Sequence, residues 1–254
     1  METIRRQGGP YRLPGLARAA DSLSLALVRL FQARSLFQPY GTTQEDRYPL
    51  IFRYAAEALT GVPAPRLLSF GCSTGEEVFT LRRYFPTARI TGLDIVPARI
   101  RRARARLARD GGDPRVRFAV AASAEHEAAQ SYDAVFAMAV FRHGGLGAGP
   151  ARCDGRIAFE DFERSVGALA GTLKPGGLLA IRHANFRFSD TAAAAGFTQV
   201  LKSPPAPARS PPLYGRDHRR LPDAERDDGI FRKALPPAIR PDGSGNGAVQ
   251  SNVA

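Results

Sequence analysis

The chain is 254 residues long, 44% hydrophobic, 24% charged and 9% aromatic, which suits one globular domain with appendages and a sizeable core. No apolar run reaches the roughly 18 residues needed to cross a bilayer, and Gly8, Gly9 and Pro10 stand where a secretory leader would be apolar, so neither membrane nor export is indicated. The two cysteines, Cys72 and Cys153, lack zinc-ligand spacing, so no metal site and a reduced, cytoplasmic compartment are expected.

A net charge of +12 invites a nucleic-acid partner. Only three of the 36 basic residues are lysine (Lys174, Lys202, Lys233), however, and Ala, Gly and Pro are abundant, a pattern that GC-rich codon usage produces whatever the partner. A solvated basic surface is the preferred reading, with nucleic acid kept as an alternative.

Residues 1–15 read as a loose lead-in. From Leu16 to Phe37 the apolar residues Leu16, Leu23, Leu27, Leu30 and Phe31 share one helical face, predicting an amphipathic helix packed on the domain or on a partner subunit. Pro39 to Gly41 ends it, and a second helix is predicted from Thr43 to Leu59, stopped by Gly61-Val62-Pro63. Strands at 66–70, 88–93, 116–121, 132–139 and 177–183 then alternate with helices at 76–84, 97–108 and 159–173. Further strands are expected at 197–201 and 229–235, with a proline-rich linker at 203–212 between them. The alternation predicts an α/β fold, doubly wound around a mostly parallel seven-stranded sheet, with the N-terminal helices attached. The divisions are 1–41 for the lead-in and amphipathic helix, 42–235 for the domain, and 236–254 for a disordered tail.

The chemistry concentrates in Leu67-Leu68-Ser69-Phe70-Gly71-Cys72-Ser73-Thr74-Gly75-Glu76-Glu77, a buried strand that enters a glycine turn and opens a helix. Gly71 and Gly75 let the backbone pass close to a ligand, and the helix N-terminus supplies unpaired N–H groups. The G-x-G-x-x-G pattern of pyrophosphate dinucleotide sites is absent. Glu76 and Glu77 would repel a diphosphate and suit a cationic ligand, such as a cofactor that bears a sulfonium. Asp94 ends the second strand, 19 residues after Gly75, where a carboxylate can accept the hydroxyls of an adenosine ribose.

GCSTGEE followed by TGLDI resembles the class I S-adenosylmethionine-dependent methyltransferases, and the heptapeptide is close to that of the chemotaxis-receptor glutamate methyltransferases. In the latter family a Thr and an Arg four residues later approach the cofactor; Thr43 and Arg47 have that spacing and location. Leu173-Lys174-Pro175-Gly176-Gly177 is similar to the turn before the fifth strand of many class I enzymes. The resemblance spans residues 42–188, plus GIFRKAL as a closing strand, and implies a Rossmann-like fold and S-adenosylmethionine as cofactor. It implies a cofactor site of Thr43, Arg47, Gly71, Cys72, Ser73, Gly75, Glu76, Asp94, Ile95, Ser123 and Ala137. Glu76 or Glu77 would hold the methionine amino group. Ser123 stands near the end of the third strand, where class I enzymes often place an acid for the adenine amino group.

The Arg-Asn pair that follows the fourth strand of the chemotaxis enzymes is replaced by Phe136 to His143, and their inserted subdomain is not recognisable, so the acceptor does not carry over. A small molecule or a protein is expected as acceptor. Nucleic acid and a non-catalytic binding role stand as alternatives. Cys72 beside the turn reads as a packing residue with no histidine near in sequence. His143 and His183, after the fourth and fifth strands, are candidate general bases or simple strand caps. Methyl transfer from a sulfonium is an in-line displacement in which alignment alone is worth roughly 7–11 kcal/mol, so a base is needed only for a protonated acceptor.

Overall fold

The computed structural model describes residues 15–41, 43–204 and 210–236. The expected lead-in up to residue 14, residues 205–209 of the proline-rich linker and the tail from residue 237 onward lie outside them. The elements are α1 (Gly15–Phe31), α2 (Pro49–Ala58), β1 (Arg66–Phe70), α3 (Glu76–Tyr84), β2 (Arg89–Asp94), α4 (Pro97–Arg109), β3 (Val116–Val120), β4 (Tyr132–Met138), α5 (Phe159–Thr172), β5 (Leu173–Arg182), β6 (Phe197–Lys202) and β7 (Gly229–Lys233), with short 3-10 turns between some of them.

The seven strands form one sheet in the order β3-β2-β1-β4-β5-β7-β6, parallel from β3 to β5, with β7 antiparallel to both its neighbours. This is the expected doubly wound arrangement. Its chain order reverses between β1 and β4, the place where ligands settle beyond the carboxyl ends of the strands. Neighbouring strand residues feed opposite cores because side chains alternate across a sheet. Leu67, Ala134, Phe136, Leu178 and Ala180 join α2, α3 and α4 on one face. Leu68, Val135, Ala137, Leu179 and Ile181 join α5 and the aromatic group Phe141, Phe162 and Phe186 on the other. Both faces are covered, so the central strands are mostly apolar on both sides and show no amphipathic rhythm.

The structure differs from the sequence reading most in two boundaries and one helix face. The second helix begins at Pro49 and not at Thr43. Proline is preorganised for the first helical position and pushes the residue before it, Tyr48, out of the helical region, so residues 43–48 run as turns. The fifth strand begins at Leu173, with Gly176 at φ 76° and a register shift opposite Tyr132 and Ala134, so the turn-like Lys174 to Gly177 is a distortion within the strand. The largest difference is in α1, whose side chains are described from Ser22 onward. Leu23, Leu27, Leu30 and Phe31 are 66%, 50%, 74% and 76% exposed, and Val28 is the buried one. Among the described residues, these four members of the expected apolar face are therefore left uncovered.

Candidate functional site

A cavity of about 470 Å³, within the range of small-molecule sites, opens beyond the carboxyl ends of β1 to β4. Its floor comes from Ala121 and Ala122 after β3, Asp94 and Ile95 at β2, Gly71 to Ser73 after β1, and Met138 to Val140 with Arg142 after β4. Its roof comes from the segment between α1 and α2, including Phe37, Tyr40, Thr43, Arg47 and Tyr48. Residues on both sides of the expected division between 41 and 42 line the cavity.

The β1 turn is held in a conformation few side chains tolerate. Gly71 has φ 77°, and a Cβ there would lie 2.5 Å from Val140 Cγ2. Its N–H and that of Cys72 both donate to the Leu93 carbonyl, at 2.8 and 2.9 Å, which ties the turn to β2. Ser73 follows with φ 52°, and its hydroxyl is buried without a hydrogen-bond partner. An orphaned polar atom in a cavity wall is costly unless a ligand meets it.

Asp94 is buried at the end of β2. The Ser73 N–H donates to Oδ2 at 2.9 Å and the Val96 N–H to Oδ1 at 2.9 Å. A carboxylate has about four acceptor sites, and these two backbone donors fix its orientation at the end of β2. On the first turn of α3 the two glutamates separate, because successive residues on a helix point about 100° apart. Glu76 turns back to accept the Thr74 hydroxyl at 2.8 and 2.7 Å. Glu77 lines the cavity and accepts the Ser69 hydroxyl at 2.7 Å. Burial pushes the Glu77 carboxyl up to about 8, against the opposing pull of Ser69 and Arg47. A cation placed beside it would restore its charge.

Residues 68–179 match the family described as "Methyltransferase domain". Among curated proteins, a trans-aconitate 2-methyltransferase of Methylobacterium radiotolerans is 35% identical over 133 residues, covering 51% of this chain and 43% of that protein. An uncharacterised protein of a Synechococcus strain is 27% identical over 183 residues, covering 68% of this chain and 40% of its own. The chain thus spans about two fifths of the length of these relatives. One similar solved structure, a methyltransferase from Geobacter sulfurreducens in complex with S-adenosylhomocysteine, has a TM-score of 0.39 and 21% identity, covering 55% of this chain and 49% of its own.

Of the expected site residues, Thr43, Arg47, Gly71, Cys72, Ser73, Asp94 and Ile95 line the cavity together. The Cys72 thiol is buried, and burial with the nearby Asp94 and Glu77 holds its pKa well above the usual range, so it packs as a protonated thiol. The others stand elsewhere. Glu76 gives its place to Glu77. Gly75, at φ 96°, is the residue before α3, where a Cβ would lie 2.9 Å from the rings of Phe118 and Phe79, so it serves the seating of α3. Ala137 is fully buried inside β4, one residue short of the lining. Ser123 accepts the Glu125 N–H at 3.1 Å in a turn beyond the cavity, whose wall there is Ala121 and Ala122.

Neither histidine lines the cavity. His143 Nδ1 accepts the Gly145 N–H at 3.1 Å, which makes it the cap of a 3-10 turn. The His183 N–H donates to Asp228 Oδ2 at 3.0 Å, and its ring packs 5.7 Å from that of Tyr48. Burial and three arginines lower the His183 pKa to about 4, against the pull of Asp228, so the ring is neutral at pH 7. Sequence reasoning leaves Glu76 and Glu77 unresolved, and does not reach the aromatic roof residues Phe37, Tyr40 and Tyr48 or Arg142. Arg142 was visible only as the residue standing where a different motif was sought. Among the described residues no group of three or more His, Cys, Asp or Glu could hold a metal, and no helix is long and apolar enough to cross a membrane.

Proposed function

We propose that this protein is a class I S-adenosylmethionine-dependent methyltransferase acting on a small-molecule or protein acceptor. The observation that carries the reading is the joint placement of Asp94, the Gly71–Ser73 turn and Glu77 on one cavity at the sheet's reversal point. Each part fits a different piece of the cofactor. Asp94, oriented by two backbone N–H groups, suits the ribose hydroxyls. Gly71 leaves room beside Val140 for close approach, and the Ser73 hydroxyl awaits a partner. Glu77 suits the methionine ammonium. When bound, the cofactor supplies a methyl group on a sulfonium, already activated for displacement. The chain's part is to orient cofactor and acceptor and to exclude water under the 35–48 roof.

The finer likeness to the chemotaxis-receptor methyltransferases gains support from Thr43 and Arg47, which line the same cavity as the turn. It bears on how the cofactor is held and not on what is methylated. The relative that methylates trans-aconitate supports a small acceptor. A nucleic-acid acceptor has only the net charge behind it, and many of the arginines engage acids, as in Arg82–Asp113, Arg106–Glu45 and Arg117–Glu127. Calorimetric titration of the full chain with S-adenosylmethionine and S-adenosylhomocysteine should show micromolar binding at a single site. A folded protein that binds neither would overturn the proposal.

A further inference from the structure

The β4 end of the cavity is strongly cationic and holds polar groups with nothing to bind. Arg142 follows β4 and lines the wall with Arg47 and Tyr48 from the roof. The Arg142 Nε is buried without a hydrogen-bond partner, and burial beside Arg47 holds its pKa below the usual arginine value. The Tyr48 ring is buried, with its hydroxyl also unpartnered. The guanidinium of Arg47 lies 5.3 Å from that ring's centre and that of Arg182 lies 5.8 Å from it. Among the described residues none of Arg47, Arg142 and Arg182 forms an ion pair with a carboxylate. Of the acids that line the wall, Glu77 is held largely neutral, Asp46 accepts the Tyr84 hydroxyl at 3.0 Å, and Asp94 accepts backbone N–H groups. Two guanidinium groups on the cavity wall, Arg47 and Arg142, that pair with no carboxylate, beside a buried donor hydroxyl and with Arg182 near the same Tyr48 ring, make a receptor for an anion.

The position assigns the anion. Asp94 lies on β2 and Arg142 after β4, two strand spacings of about 4.8 Å away across β1. If Asp94 takes the ribose, the β4 end lies past the cofactor's nucleoside. The methionine carboxylate of the cofactor can neutralise one of these two wall guanidinium groups but not both. The lining also contains no histidine, which fits an acceptor that arrives already ionised. We infer that the Arg142, Arg47 and Tyr48 end of the cavity binds a carboxylate of a small-molecule acceptor, and that this carboxylate is the group methylated. The inference rests on the proposed methyltransferase reading for its second part only. Transfer to a carboxylate forms one oxygen–carbon bond and breaks one sulfur–carbon bond, the electron pair passing to sulfur, and releases no proton. Burial holds the Tyr48 phenol at about 12, so it stays protonated and donates.

The test is a titration of the full chain, with and without saturating S-adenosylhomocysteine, using citrate and trans-aconitate against their neutral trimethyl esters. The free acids should bind with S-adenosylhomocysteine present, and the esters at least tenfold more weakly. Arg142→Gln should cost tenfold or more in carboxylate affinity and leave S-adenosylhomocysteine affinity within twofold, while Arg142→Lys keeps part of the carboxylate affinity. Tyr48→Phe removes a hydroxyl that has no partner, so the fold should stand while carboxylate affinity falls about fivefold. No carboxylate binding to the loaded protein overturns the inference. So does a loss of S-adenosylhomocysteine affinity in Arg142→Gln that equals or exceeds its loss for carboxylates, because the anion would then be the cofactor's own. If S-adenosylhomocysteine itself fails to bind, the methyltransferase reading falls; carboxylate binding that still depends on Arg142 would leave the anion site standing.

Discussion

The floor and the roof of the cavity are built on different principles. The floor, from Gly71 to Asp94, is a βαβ unit whose glycine turn is tied to β2 by backbone bonds and whose Asp94 carboxylate is oriented by two backbone N–H groups. The roof, from Ser35 to Tyr48, is an irregular segment whose contacts are made by side chains, such as the Tyr40 ring against Gly144 and the Arg99 guanidinium that donates to the Pro39 carbonyl at 2.7 Å. A wall made of sheet backbone is rigid and recognises a common ligand. A wall made of side chains adapts, and can differ between acceptors without disturbing the fold.

That contrast can be broken by experiment. Asp94→Ala should have the largest effect. On the proposed reading it removes two charge-assisted hydrogen bonds to a ribose at about 1.5 kcal/mol each, so S-adenosylmethionine affinity should fall roughly 100-fold by calorimetry. It also leaves the Ser73 and Val96 N–H groups without their acceptor, so the melting temperature should drop with it. Gly71→Ala comes next. A side chain at φ 77° costs roughly 1–2 kcal/mol and meets Val140, so a loss of a few degrees in melting temperature and a weaker cofactor site are expected. Unchanged thermal stability would show that the floor is not the rigid element described.

Glu77→Gln should act through pH. In the folded chain this carboxyl is raised from 4.5 to about 8, so it holds a proton that the unfolded chain releases. Its contribution to stability is complete below pH 4.5, declines as pH rises toward 8 and is gone above it. Denaturant unfolding from pH 5 to 8 should therefore show a flatter profile in the glutamine variant; parallel profiles would place the proton elsewhere. The smallest effect belongs to the roof. Tyr40 is 55% exposed, so Tyr40→Ala should change stability by less than about 0.5 kcal/mol while speeding cofactor release in stopped-flow measurements. A large loss of stability would mean that Tyr40 is held as firmly as its buried roof neighbours Phe37 and Tyr48, and would erase the contrast.

The floor was legible in the sequence for the same reason that it is rigid. Spacing within a βαβ unit is set by strand and helix geometry, so the separation of Gly71, Gly75 and Asp94 maps directly onto space. Even there the choice between Glu76 and Glu77 was out of reach, because it depends on helix phase, and a one-residue change in the start of α3 exchanges which glutamate faces the cavity. Ala137 failed for a similar reason, since one step along β4 moves a side chain from the wall to the core. The roof left no such trace. Residues 43–48 share the polarity of a helix start, and the effect of Pro49 on Tyr48 was the one local signal that they turn instead. Arg142 gains meaning only beside Arg47 and Tyr48, which lie about a hundred residues away in sequence and meet it through the fold. The exposed apolar side of α1 shows the limit of periodicity as evidence: a stripe of Leu23, Leu27, Leu30 and Phe31 specifies a helix without specifying what it packs on.

The elevated Glu77 carboxyl also couples the cavity to the solvent's proton activity. Near neutral pH the free protein carries this group mostly as the acid. An ammonium ion settling against it would lower its affinity for the proton and expel it, so association would be accompanied by acidification of the medium. The heat of association would then differ between phosphate and Tris by the difference in their ionisation enthalpies, and the number of protons given up could be counted from that slope.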